Sequence, residues 1–193
     1  MTNNKSVMAP QFKSQLEQAK SIANIHVALA EFIDNSLDVG ATQIKISSSV
    51  GDDNFDLFIC DNGSGMTYEK LISSMKLGSS QKSNSSKEIF GCKGVGMKLG
   101  ATRLAKESLK IFSKTSGSDK ISYSKFNINE LTRRYTDNDW DSLYSFDQFE
   151  SKDIKSSIVK NFLDDVDSGT VIQLVSMNKD VCGDQKQFDK KIL

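Results

Sequence analysis

The sequence lacks a surplus of charge of either sign: lysine and arginine total 25, and so do aspartate and glutamate, in 193 residues. Such a balance sets up no overall positive field, so nucleic acid or an anionic membrane would have to be held by a local patch or by regions outside this chain. No run approaches the roughly 20 apolar residues that span a bilayer. The opening residues Met1-Thr2-Asn3-Asn4-Lys5 lead into no apolar signal segment. Cysteine is scarce, with Cys60, Cys92 and Cys182 odd in number and not closely spaced. That supplies no zinc motif and fits a reducing compartment, so the cytoplasm is the expected location. The single histidine, His26, is most simply a surface or packing residue. There is no internal repeat.

What is present is the composition of an ordinary globular protein. Hydrophobic residues make up 37% and charged residues 26% of a chain of single-domain size, enough for one hydrophobic core. Helices are expected over 8–20 and 21–39. In the second, Ile22, Ile25, Leu29, Phe32 and Ile33 recur at helical spacing. Gly40 and Ala41 end it. Strands are expected at 42–50 and 55–60, joined by the turn residues Gly51-Asp52-Asp53-Asn54. A short helix at 67–75 would take Thr67 as its N-cap. The serine-rich segment 78–87 has no large apolar residue and should be mobile. A glycine-rich turn then opens a helix reaching about residue 106, and strands are expected at 109–114, 121–126 and 170–176. Residues 132–157 show no usable pattern, and Trp140 with its acidic neighbours reads as surface. Short connections between strands make the class α+β, with a mixed sheet and helices packed on one face.

Three segments carry residues suited to chemistry. On the helix at 21–39, Glu31, Asn35 and Asp38 fall within an arc of roughly 60°, nearly opposite the apolar stripe. Glu31 and Asn35, at i and i+4, can address one ligand together. A carboxylate there could take a proton from an attacking water, and a neutral amide oxygen suits Mg²⁺. The bland alternative is a solvated polar face. The second segment, Asp61-Asn62-Gly63-Ser64-Gly65-Met66, sits at a strand end, where a carboxylate followed by glycines could meet a flat heterocycle at close backbone approach. It is equally a plain turn. The third, Gly91-x-x-Gly94-x-Gly96-x-Lys98, opens a helix and could aim successive backbone N–H groups at an anion. It is neither of the two common glycine-rich nucleotide motifs.

Taken together, these segments resemble the GHKL ATPases, the class of DNA gyrase, heat-shock chaperones, histidine kinases and MutL proteins. Residues 31–42 (EFIDNSLDVGAT) resemble the N-box, 61–66 (DNGSGM) the adenine-binding motif and 91–98 (GCKGVGMK) the phosphate loop beside the lid. Ser168-Gly169-Thr170 resembles the motif whose threonine supports the adenine-bound aspartate through water. All four stand in the family's order.

The resemblance implies the Bergerat two-layer α/β sandwich, a mostly antiparallel sheet with ATP between helices and lid. It implies Glu31 as general base and Asn35 as Mg²⁺ ligand. Asp61 would accept from the adenine amino group, with Gly63, Gly65 and Met66 at the base and Thr170 in the water network. The backbone at Gly94, Val95, Gly96 and Met97 would hold phosphates, within reach of Lys98. The lid would occupy 78–90, with Lys82 as a further phosphate contact. The expected function is Mg²⁺-dependent ATP hydrolysis in which lid closure drives dimerisation of a larger protein. A nucleotide-gated module without useful hydrolysis and a histidine or serine kinase share the same pocket.

Two features differ within the family. The Gly-x-x-Gly-x-Gly-x-Lys wording is nearer to MORC-type and type II topoisomerase relatives than to MutL, which leaves the subfamily open. Many members also need a lysine from a following transducer domain. A chain ending at Leu193 is therefore expected to be a fragment or to hydrolyse weakly alone.

Overall fold

The computed structural model describes residues 25–50, 54–75, 95–131 and 141–192. Helix α1 spans Ile25–Asp38 and leads into strands β1, Ile44–Val50, and β2, Phe55–Asp61. Helices α2, Tyr68–Met75, and α3, Val95–Leu104, precede β3, Ala105–Lys114, and β4, Lys120–Asn127. Strand β5, Tyr144–Glu150, helix α4, Ser157–Asp165, and strand β6, Gly169–Met177, follow. Two short helices, α5 at Lys179–Cys182 and α6 at Gln185–Ile192, complete the described chain.

The six strands form one sheet in the order β1-β2-β6-β3-β4-β5. Its five ladders are all antiparallel. Placing β6 between β2 and β3 is the decisive topological step, because it sets the last strand beside the strand that ends in Asp61. The α+β class agrees with expectation, while the sheet, expected to be mixed and mostly antiparallel, is antiparallel in every described ladder.

The central strands contribute apolar residues to both faces of the sheet, and the reason is visible in the two clusters they separate. Phe55, Leu57 and Ile59 of β2 join Leu109, Ile111, Ile172 and Leu174 in the larger core, against Ala28, Leu29 and Phe32 of α1. The alternate residues Phe58 and Cys60 face the other way, onto Val159 and Leu163 of α4. So α1, α2 and α3 cover one face, as expected, while α4 covers part of the opposite one. The helix at 157–165 was not foreseen. Its signals are short: a Ser156 N-cap accepting from the Val159 N–H, and buried Val159 and Leu163 one turn apart. Strand β5 was hidden because its aromatics do not keep period two. Tyr144 and Phe146 pack on the larger core and Phe149 on the smaller one.

The expected ends of α1 and α2 are realised. Gly40 adopts φ 77° while its N–H and that of Ala41 bond the carbonyls of Leu37 and Ser36, a left-handed C-cap. The N–H of Lys70 meets the Thr67 hydroxyl at 3.3 Å. Lys114 does the same service for α4: its ammonium donates to the carbonyls of Leu163 and Val166 at 2.9 and 2.8 Å. Cys60 and Cys182 are buried free thiols, pushed up by burial to about 12 and about 11, so they are inert. Among the described residues, no helix is long and apolar enough to cross a membrane.

Gly65 has no room for a side chain. Its φ is 65°, and a β-carbon there would lie 2.0 Å from the Lys114 carbonyl oxygen. Gly117 has a similar φ of 70° with open space around it. Gly117→Ala should therefore cost about 1–2 kcal/mol, the left-handed penalty alone. Gly65→Ala, which adds a backbone clash, should cost at least about 3 kcal/mol. Urea titration of the two variants checks this, and equal losses would refute the role given to the Lys114 carbonyl.

Candidate functional site

Helix α1 is the element to which the other segments attach. Its buried side, Ala28, Leu29, Phe32 and Ser36, faces the sheet, and Glu31, Asn35 and Asp38 are exposed, as their spacing required. Near its end, the Ser36 hydroxyl reaches Asp61 Oδ2 at 3.1 Å. One and a half turns earlier, the Glu31 carboxylate lies against Gly96 of α3: a β-carbon at Gly96 would fall 2.2 Å from Glu31 Oε2. Gly100, one turn further along α3, leaves room for the Ala28 carbonyl and the Phe32 ring. The two glycines thus let α3 lie close along α1, and Gly96 has its reason in a neighbour rather than in its own backbone.

Asp61 ends β2 and is 3% exposed. Burial pushes its carboxyl pKa up, opposed by donors from the Gly63 N–H, the Ser36 hydroxyl and the Thr170 backbone. Gly63 donates to Oδ1 at 2.9 Å, and its own site has no room for a side chain between Val39 and Asp61. Asn62 turns away, accepting the N–H groups of Thr42 and Gln43 at 2.9 and 2.8 Å, so it anchors the start of β1 rather than the site. Ser168 donates to the Gly63 carbonyl at 2.8 Å, which closes the loop from the β6 side.

The register sets a polar row across the helix-covered face. Asp61 stands opposite Thr170, Thr170 opposite Ser113, and Ser113 opposite Ser122. Asp61, Thr170, Ser113 and Ser122 are all buried. Thr170 and Ser113 have their hydroxyl oxygens 2.9 Å apart, and Ser113 accepts the Met66 N–H at 2.8 Å. Ser113 was not anticipated; the signal available was a hydroxyl on the inward face of an apolar strand.

The Asn35 amide donates through Nδ2 to the Glu31 carbonyl at 2.6 Å, which leaves Oδ1 as its outward acceptor. Val95, Gly96 and Met97 form the first turn of α3, where backbone N–H groups lack helical partners. The Met97 side chain is in the core, and Met66 packs on the edge of it. Lys98 is fully buried, its ammonium 3.3 Å from the Ser74 carbonyl, and burial lowers its pKa to about 8. His26 is exposed. Lys82, Gly94, Cys92, Trp140 and the expected lid at 78–90 lie outside the described residues.

Comparison with known proteins gives the family. The family model for histidine kinase-, DNA gyrase B- and HSP90-like ATPases matches residues 23–161. The chain belongs to this GHKL ATPase family. Among curated relatives, it is 36% identical over 99 residues to MORC family CW-type zinc finger protein 3 of Mus musculus, covering 50% of this chain and 10% of that protein. It is 39% identical over 97 residues to Protein MICRORCHIDIA 7 of Arabidopsis thaliana, covering 48% and 13%. It is 30% identical over 99 residues to the DNA mismatch repair protein MutL of Thermosipho africanus (strain TCF52B), covering 51% and 17%. The aligned region is thus a small part of each of these proteins, and both the MORC and MutL branches of the family are represented.

Lys98 yields a test of the site's electrostatics. Its pKa falls from 10.5 to about 8, so between those values the unfolded chain binds more protons than the folded one. Its contribution to stability therefore rises with pH across that window and is at its least below about 8. Lys98→Met, which keeps the length without the charge, should raise stability at pH 7 by about 1–3 kcal/mol. It should also flatten the rise between pH 8 and 10.5. A variant less stable than the parent at pH 7 would show that the Ser74 carbonyl offsets the burial.

Proposed function

We propose that this chain binds Mg-ATP between α1, the loop after β2 and the first turn of α3, and hydrolyses it. One observation carries the reading. A single helix touches both the buried carboxylate, through Ser36, and the glycine turn, through Glu31. Those two contact points are about 7.5 Å apart along the axis. A carboxylate that accepts hydrogen bonds at one end and a helix N-terminus at the other suit a ligand with a donor-bearing base and an anionic tail.

In this reading Asp61 accepts from the adenine amino group, with Gly63, Gly65 and Met66 lining the base and Thr170 beside it. The N–H groups of Val95, Gly96 and Met97, together with Gly94, meet the phosphates, and Lys98 and Lys82 add positive charge. Asn35 fits a Mg²⁺ ion, since its Nδ2 is engaged with the Glu31 carbonyl and the residue is exposed, which leaves its oxygen free to act as the ligand. Among the described residues, no three His, Cys, Asp or Glu side chains cluster as a metal site. Phosphate oxygens and water would then supply most of the ligands, as Mg²⁺ prefers. The ion would neutralise phosphate charge, and Glu31, exposed beside Gly96, would take the proton of the attacking water.

Self-association on nucleotide binding belongs to the same proposal and rests on the family resemblance. Sedimentation with and without a non-hydrolysable analogue reads it out.

The catalytic and binding roles separate by mutation. Glu31→Ala should leave ATP affinity within a few-fold and lower turnover by roughly 10²–10⁴, whereas Asn35→Ala should weaken Mg-ATP binding itself. Equal hydrolysis by the parent and the Glu31 variant, free of contaminating ATPase, would favour a nucleotide-gated module.

Asp61 decides the base. Guanine would set a carbonyl oxygen against an ionised carboxylate, so calorimetry should give at least about a hundredfold preference for ATP over GTP, or roughly 2.7 kcal/mol. Asp61→Asn should remove most ATP binding. The ionised form is the acceptor and burial has raised its pKa. Affinity should therefore fall on acidification, beginning at a higher pH than for an ordinary aspartate. Comparable affinities for ATP and GTP would withdraw the pocket.

A further inference from the structure

Ser113 lies in none of the four family-like segments, yet it is fully buried and contacts two of them. We propose that Ser113 is a specificity-determining positioning residue that turns the Thr170 hydroxyl into a hydrogen-bond donor toward the base. The proposal rests on the ATP reading above and names how that site tells adenine from its analogues.

The Ser113 hydroxyl has more neighbours than protons to give them. A serine hydroxyl carries one proton and two lone pairs. The Met66 N–H only donates, and at 2.8 Å it takes one lone pair of Ser113. The Gly169 carbonyl only accepts, and it stands 3.3 Å from the same oxygen. Thr170 Oγ1, at 2.9 Å, can do either. Ser113 thus has one proton and two claimants. A separation of 3.3 Å is beyond the usual range for an O–H···O bond, and 2.9 Å is within it. We assign that proton to Thr170, the nearer of the two oxygens, which leaves the proton of Thr170 for the pocket.

The direction matters because of where Thr170 stands. It is the cross-strand partner of Asp61, so a base whose amino group meets Asp61 brings its neighbouring ring atom toward Thr170, directly or through one water. In adenine that ring atom is an acceptor, and in guanine it carries a proton. An acceptor at Asp61 beside a donor at Thr170 matches adenine at both positions. Without Ser113, the Thr170 hydroxyl could rotate to serve either edge. An aliphatic side chain would fill this inward position of a central strand as well, so packing alone does not call for a hydroxyl.

The test is calorimetry with ATP and with 1-deaza-ATP, which keeps the amino group and replaces the ring acceptor by C–H. The parent protein should prefer ATP by about tenfold, the worth of one hydrogen bond. Ser113→Ala should reduce that ratio to within about twofold, and Ser113→Thr should preserve it. If the alanine variant does not fold, Ser113→Cys, similar in volume and a weak donor, reads the same loss. A merely structural serine would weaken both nucleotides alike. An unchanged ratio in the alanine or cysteine variant, or no preference in the parent, overturns the proposal while the ATP pocket stands. Failure of the parent to bind ATP at all removes the pocket and the proposal with it.

Discussion

A carboxylate taken out of water must be met by hydrogen-bond donors or it protonates or destabilises the fold, and at Asp61 those donors come from three separate parts of the chain. The helix before it supplies Ser36, the loop after it supplies the Gly63 N–H, and a strand more than a hundred residues later supplies Thr170. Each donor fixes an element. Ser36 sets the end of α1 over the sheet, Gly63 shapes the turn, and Thr170 requires β6 to pair with β2. The remainder of the site follows from where α1 then lies, since its earlier turns meet α3 at Gly96 and Gly100. The pocket's chemistry and the topology of the sheet are in this sense one constraint.

Much of this was legible because the relevant signals are local. The stripe of Leu29 and Phe32, the cap at Gly40 and the alternation of Phe55, Leu57 and Ile59 each need only a few residues to be recognised. Their partners were harder. That Gly96 is small because of Glu31, 65 positions away, cannot be read from either segment, and its backbone alone would have suggested a turn. Strand β5 escaped because it contributes aromatics to two cores and so breaks the alternation expected of a strand with one buried face. Helix α4 escaped because it is only about two and a half turns long and held by tertiary contacts rather than by propensity.

Ser113 and Lys98 represent two ways in which charge and polarity enter a core. Ser113 has partners enough for its proton and one lone pair, so its burial costs little. Lys98 donates to the Ser74 carbonyl, and its burial lowers its basicity. The first is compatible with a well-packed sheet. The second is a charge that the packed interior must accommodate.

Lys114 joins the two faces of the sheet. Its carbonyl oxygen stands over Gly65, at the loop proposed to line the base, while its ammonium grips the last carbonyls of α4 on the opposite side. The backbone between those ends is held in strand pairing with Gly169. A single residue of β3 thus serves as the shared anchor of α4 and of the loop proposed to line the base.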